Sequence, residues 1–355
     1  MFSQVNRRAF LKTSAAGASA IAAGLGSTAS LPAGPLQAES GDTGSSSNQI
    51  GRPVRIATIA FQNGGKPLDQ LVPLVDQEGA LGTDIISLQE ACRGQSSDGS
   101  TQETLDGPTI TAMARLARKH QTYIVCPIDR KDGNQRFNSA VLLDRTGKVV
   151  CVYDKIFPVW AQECMQNHVI PGKQVKVYDA DFGRIGFAIC FDVNWEPLWK
   201  QLANHHAELV IWPSAYSAGR TLQAWAIAYN YYIVSCTGRP DCHAYDIDGE
   251  ELVHDDRNRG QDLNVSRVTL DLDRCIFHQD LNLWPKDKLP KLLAERGEDV
   301  EREKWEPLEG WFVLRAKRPG VSCRDVARQY GLEELRHYIN RSKCEIDKCR
   351  GWEFV

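Results

Sequence analysis

Residues 54–61, VRIATIAF, are apolar and rich in β-branched side chains with no helical gaps, which predicts a buried strand. The next segment changes period. In PLDQLVPLVDQEGA (67–80), Leu68, Leu71, Leu74 and Val75 recur at helical spacing between Pro67 and Gly79. DIISLQE (84–90) predicts a second strand, and TITAMARLARKH (109–120) an amphipathic helix with Ile110, Met113, Leu116 and Ala117 on one face. TYIVCPI (122–128), SAVLLDRTGKVVCVYDK (139–155) and KVYDADFGRIGFAIC (176–190) read as strands, with Arg145-Thr146-Gly147-Lys148 as a hairpin turn. Helices are expected over 196–207 and 221–230, and strands over 208–214, 232–238, near 242–254 and over 265–272. Strands alternating with helices but interrupted by hairpins favour a mixed α/β sandwich over a plain doubly wound sheet.

Three of the apolar strands end on a chemically capable side chain: DIISLQE on Glu90, VVCVYDK on Lys155 and GRIGFAIC on Cys190. Functional residues gather beyond such ends. One cysteine closing an apolar run reads as core filling. A carboxylate, an amine and a thiol at three strand ends read as a set. A thiol with an ordinary pKa of about 8.5 needs a base near neutral pH, and a carboxylate can supply one. An ammonium group and the backbone N–H of Phe191 can meet the negative charge that develops on a carbonyl oxygen. Asn194, Trp195 and Phe157 flank these positions and are candidate pocket walls. His205-His206 lies in a helical segment and reads as surface rather than as a metal site.

Composition narrows the function classes. The 355 residues are 42% hydrophobic and 25% charged, with formal charge −3, so no basic surface argues for nucleic acid. Beyond the N-terminus no apolar run is long enough to span a membrane. The first residues, NRRAFLKTSAAGASAIAAGLG, resemble a twin-arginine export signal, with cleavage expected after Ala38. The expected organisation is a signal over 1–38, a disordered polar linker over 39–51, a catalytic domain over 52–280 and a C-terminal extension over 281–355. Export would carry the folded chain to a bacterial periplasm or cell surface. There disulfides are permitted, and Cys344–Cys349 and Cys236–Cys242 are pairings the eleven cysteines leave open. No second Cys/His pair completes a zinc site beside CEIDKC.

The chain resembles the nitrilase superfamily of carbon–nitrogen hydrolases over roughly 54–275. SLQEACRG around Glu90, YDKIFPVWAQE around Lys155 and GRIGFAICFDVNWEPLWKQLANHHAELVIWPS around Cys190 carry the resemblance. LARKHQTYIV, FNSAVLLDRTGKVV and Pro171-Gly172 support it. It implies a four-layer αββα sandwich forming a single domain with a C-terminal extension, assembly into a homodimer or higher homo-oligomer, and a Glu90-Lys155-Cys190 triad. It also implies a supporting role for Glu163, eight residues after Lys155. The expected reaction is hydrolysis of a small amide or related carbon–nitrogen bond through a Cys190 thioester, without cofactor or metal. Alternatives are an N-acyltransferase using the same thioester and an inactive binding protein. Lys155-Ile156-Phe157 lacks the histidine usual in N-carbamoyl amino acid hydrolases, and Cys190 is not followed by the Trp-Glu usual in nitrilases, which leaves a plain amidase. In the extension, WEPLEGWFVLRAK (305–317) reads as extended and 322–343 as helical, with a Ser322 cap and a break at Gly331.

Overall fold

The computed structural model describes residues 48–62, 64–239, 241–257, 261–279 and 287–354. The twin-arginine segment and linker residues 39–47 lie outside them. The linker's end is tied down, because Ile50 forms a β-bridge with Pro319 and Arg52 N–H donates to Asp271 Oδ1 at 2.8 Å.

Two six-stranded mixed sheets face each other. The first contains β1 (Pro53–Phe61), β2 (Ile85–Leu88), β3 (Tyr123–Asp132), β4 (Gln135–Leu143), β5 (Val149–Asp154) and β12 (Leu263–Asp271), in the order β12-β1-β2-β3-β4-β5. The second runs β11-β10-β9-β8-β7-β6, built from β6 (Val177–Ala180), β7 (Gly183–Phe187), β8 (Leu209–Ser214), β9 (Tyr232–Thr237), β10 (Cys242–Tyr245) and β11 (Glu251–Asp255). Side chains alternate across each strand. Val54 and Ile56 enter the core between the sheets with Ile185, Phe187, Leu209 and Ile211. Ala57, Ile59 and Phe61 face outward onto α1 (Leu68–Ala80) and α2 (Pro108–His120). Val210 and Trp212 face outward onto α3 (Glu196–Asn204) and α4 (Gly219–Tyr229). The layers are therefore αββα. Strands apolar on both faces are what a sheet covered on both sides requires.

Two of the segments read as extended fold back on themselves. Residues 176–190 give β6 and β7 as an antiparallel pair closing at Ala180↔Gly183. Residues 305–317 turn between β14 (Val300–Glu306) and β15 (Trp311–Ala316), with Gly310 at φ +70°. The hairpin expected at 145–148 is present. Gly147 has φ +79°, and a Cβ there would stand 2.2 Å from the Ala114 carbonyl oxygen of α2, so only glycine lets this turn close against the helix.

The C-terminal residues build a smaller layer whose sheet, β13-β15-β14, begins at Cys275 in β13 (Cys275–His278), before the expected boundary at 281. With α5 (Lys288–Arg296) and α6 (Cys323–Gln329) it buries Phe277, Leu292, Phe312 and Val326. Ser322 caps α6 by accepting from Asp325 N–H at 3.3 Å. Gly331, at φ +68°, separates α6 from α7 (Leu335–Arg350). All eleven cysteines are free thiols.

Buried charge fastens this layer to the sandwich. Asp246 takes Arg274 Nη1 at 2.6 Å, Arg274 Nη2 at 2.9 Å and Lys304 Nζ at 2.9 Å. Burial alone would raise the Asp246 carboxyl. Its hydrogen bonds to Arg274 and Lys304 more than reverse that and hold it below the usual carboxylate range. Arg336 of α7 donates to the Ala207 carbonyl at 2.5 Å. Asp246→Ala leaves two cations without their shared partner. It is expected to lower the unfolding free energy by about 3–5 kcal/mol in chemical denaturation, and a loss below about 1 kcal/mol would show that the cluster does not hold the layer.

Candidate active site

Strands β2, β5 and β7 end at the same end of the sandwich, so the chain just beyond each can meet there. Glu90 lies two residues past β2, Lys155 directly follows β5, and Cys190 opens a 3-10 turn, Cys190–Asn194, three residues past β7. Glu163 comes from a π-helical turn, Trp160–Gln166. All four are buried, Lys155 to 1% exposure and Cys190 to 5%. The structure thus brings together the four residues singled out by sequence.

Lys155 is the hub. Its Nζ donates to Glu90 Oε1 at 2.8 Å and to Glu163 Oε2 at 2.7 Å. Burial disfavours its charge, but Glu90, Cys190 and Glu163 outweigh that, and the ammonium is held above the ordinary lysine range. Its backbone is fixed on both sides, since Lys155 N–H donates to the Asn138 carbonyl and Gly172 N–H to the Lys155 carbonyl, each at 2.8 Å. A Cβ on Gly172 would stand 2.0 Å from the Asp154 carbonyl oxygen, which gives the Pro171-Gly172 pair its physical reason.

Each carboxylate has further donors. Asn138 Nδ2 reaches both Glu90 Oε1 and Glu163 Oε1 at 2.8 Å. Ala215 N–H donates to Glu90 Oε2 at 2.8 Å and Val159 N–H to Glu163 Oε2 at 2.7 Å. Sequence reading missed Asn138. It sits in β4, in FNSAVLL, and its only signal was an amide in an otherwise inward-facing apolar strand. The loop after β8 supplies Ala215.

Cys190 is held in the left-handed region at φ +47°, as is Ala91 beside Glu90, also at +47°. Non-glycine residues persist there only when the surroundings over-determine them. At Cys190 the carbonyl accepts Trp212 Nε1–H at 3.2 Å. The next turn is pinned by buried Asp192, which accepts from Tyr153 Oη–H at 2.7 Å and from Ile189 N–H and Phe157 N–H at 2.8 Å each. Burial pushes Asp192 up to about 6 in spite of those donors. Nothing in the sequence announces this anchoring by Asp192. Burial, and the charge of Glu90, push the Cys190 thiol up to about 12, against the opposing effect of Lys155, Ser214 and Ala215. The thiol is therefore protonated at rest, within the influence of a carboxylate and an ammonium.

Of the expected pocket-wall residues, Phe157 and Trp195 stack with ring centroids 4.2 Å apart, and Phe191 meets Trp195 edge-on at 4.8 Å. Asn194 is exposed and its Nδ2 donates to the Phe191 carbonyl at 3.0 Å, so it closes the turn. Tyr216, unmarked by sequence, packs on Trp212 at 5.8 Å. His168 is exposed on its loop.

Known proteins share this architecture. The chain resembles an amidase from Nesterenkonia sp. with TM-score 0.55 at 19% identity, covering 63% of this chain and 92% of that one. It resembles Saccharomyces cerevisiae Nit3, a member of branch 10 of the nitrilase superfamily, with TM-score 0.54 at 17% identity, covering 62% and 91%. At these identities the likeness establishes the fold. By sequence it is 27% identical to beta-ureidopropionase of Arabidopsis thaliana over 186 residues, 47% of this chain and 46% of that protein. The chain thus spans about half the length of the first curated relative. A variant of the Nesterenkonia sp. AN1 amidase carries the acetamide moiety of fluoroacetamide covalently added at its active site cysteine. The carbon–nitrogen hydrolase family model matches residues 66–276, more than half of the sequence and inclusive of Glu90, Lys155, Glu163 and Cys190, and the chain belongs to that family.

Proposed function

We propose that this protein hydrolyses the carbon–nitrogen bond of a small amide through a thioester on Cys190. The observation that carries the reading is the buried Lys155 ammonium bonded to both Glu90 and Glu163 beside a neutral thiol. Glu90 takes the thiol proton as sulfur attacks the carbonyl carbon. Lys155 and the Phe191 N–H stabilise the resulting oxyanion. Glu90 then returns the proton to the leaving nitrogen, and the carbon–nitrogen bond breaks to leave the acyl group on sulfur. Water, deprotonated by Glu90, attacks the thioester and frees the acid and the thiol. Glu163 and Asn138 hold Lys155 and Glu90 in register as the proton moves. The adduct on the Nesterenkonia amidase cysteine supports the covalent route by analogy. Export by the twin-arginine pathway and assembly as a homodimer or higher homo-oligomer complete the proposal.

Wild-type protein offered a panel of small amides is expected to release ammonia and to show a trapped acyl adduct by intact-mass spectrometry. Cys190→Ala should lose both, with turnover down on the order of 10³-fold or more. Ammonia release that survives the substitution removes Cys190 from the mechanism. An amine acceptor that captures the acyl group in preference to water would redirect the reading to acyl transfer.

Base assistance has its own signature. A thiol raised to about 12 is scarcely ionised at pH 6–8, so alkylation of Cys190 by iodoacetamide should proceed through Glu90 and vary little with pH there. In Glu90→Gln only the unassisted thiolate remains, and the rate should be lower at pH 6 and climb about tenfold per pH unit. A wild-type profile that titrates near 8.5 would rule out the assisted route.

A further inference from the structure

The β10–β11 hairpin carries a second cluster of chemically capable side chains, on the opposite face of its sheet from the core between the sheets. Cys242 and Ala244 point into that core, so His243 and Tyr245 point outward, toward α4. His243 is directly opposite His254 in the antiparallel register, and their rings stack with centroids 4.3 Å apart. Glu251 bridges their ring edges, its Oε1 2.8 Å from His243 Nδ1 and its Oε2 3.9 Å from His254 Nδ1. One donor atom from each of the three residues lies within 4.8 Å of the others. The Tyr245 hydroxyl donates to Glu251 Oε1 at 3.1 Å. On the far side of the His254 ring, Asp256 Oδ2 is 3.8 Å from Nε2.

This is the donor set and outer support that a zinc-type ion uses: two imidazoles, one carboxylate, and a second carboxylate on the remote nitrogen of a ligating ring. Tetrahedral donors at about 2.0–2.2 Å from zinc stand roughly 3.4 Å from each other, so the trio needs to close by about 1 Å or a little more. The exposed side chains of His254 and Glu251 are free to make that movement while buried His243 stays fixed. The start of α4 walls one side, because a Cβ on Gly219 would stand 3.0 Å from both His243 Cε1 and Tyr245 Oη. The neighbouring trio of Asp246, Asp248 and Glu250 is different, because Lys304 Nζ already sits among its oxygens, 2.9 Å from Asp246 and 2.8 Å from Asp248.

We propose that His243, Glu251 and His254 bind a divalent transition-metal ion of the zinc class, with water in the remaining position, cross-linking β10 to β11. The ion is structural. It lies apart from Cys190 on the outer face of the sheet, and no step of the hydrolysis runs through it.

The test uses the full chain stripped with chelator and titrated with zinc by calorimetry and with cobalt by absorption. One ion per chain is expected. Cobalt should show visible d–d bands without the intense near-ultraviolet band of thiolate ligation, which separates this site from the eleven cysteines. His254→Ala and Glu251→Gln should each abolish binding and the zinc-induced rise in Tm while keeping the metal-free circular dichroism. Asp256→Asn should weaken binding about 10- to 100-fold, and a Cys344→Ser/Cys349→Ser double variant should leave it unchanged. A thiolate band, equal binding by the His254 and Glu251 variants, or no uptake of either metal would overturn the proposal.

Discussion

The arrangement at the open end of the sandwich depends on one buried charge. Lys155 brings an ammonium into a site where a lone cation would be prohibitively costly, and two carboxylates at 2.7–2.8 Å make it tolerable. Burial, with the charge of Glu90 added to it, keeps the neighbouring Cys190 thiol protonated rather than activated. Asn138, Ala215 N–H and Val159 N–H spread the carboxylates' negative charge over fixed donors. Removing Lys155 would strand two buried carboxylates, whereas removing either carboxylate leaves the ammonium one partner, so the cluster hangs on the lysine.

The surrounding backbone is shaped around this cluster. Glycine at 172 lets one loop lie on the Asp154 carbonyl and clasp Lys155. Asp192 fastens the residues on both sides of Cys190 and the start of the loop that carries Glu163. Two non-glycine residues in the left-handed region, Ala91 and Cys190, flank the site. Strain of this kind is kept where a side chain has to be aimed, and the hydrogen bonds to Asp192 and from Trp212 keep it in place.

The sequence made the strand ends readable because a buried strand is apolar until it leaves the sheet. Glu90, Lys155 and Cys190 therefore stood out as abrupt changes of chemistry. Glu163 was legible by its spacing from Lys155 within the resemblance. Asn138 was not, because an amide facing inward along a strand looks like any other polar interruption until its partners are known. The β6–β7 hairpin was blurred because Asp181-Phe182 is a turn without glycine or proline at its centre. The fold-back at 307–310 had both Pro307 and Gly310 to announce it, yet the apolar run after it drew the eye as one extended stretch. The His243–His254 pair was invisible for another reason. Its members are eleven residues apart and meet only through the register of two strands, which no linear spacing rule reports.

Glu90 and Lys155 belong to one sheet, and Cys190 to the other. A chain in which each sheet has formed but the two have not yet closed on one another holds Glu90 and Lys155 apart from Cys190. The chemistry proposed for Cys190 is then a property of the closed sandwich and not of any segment within it. A newly made or partly unfolded molecule carries the thiol of Cys190 without the carboxylate and ammonium that the closed sandwich sets beside it.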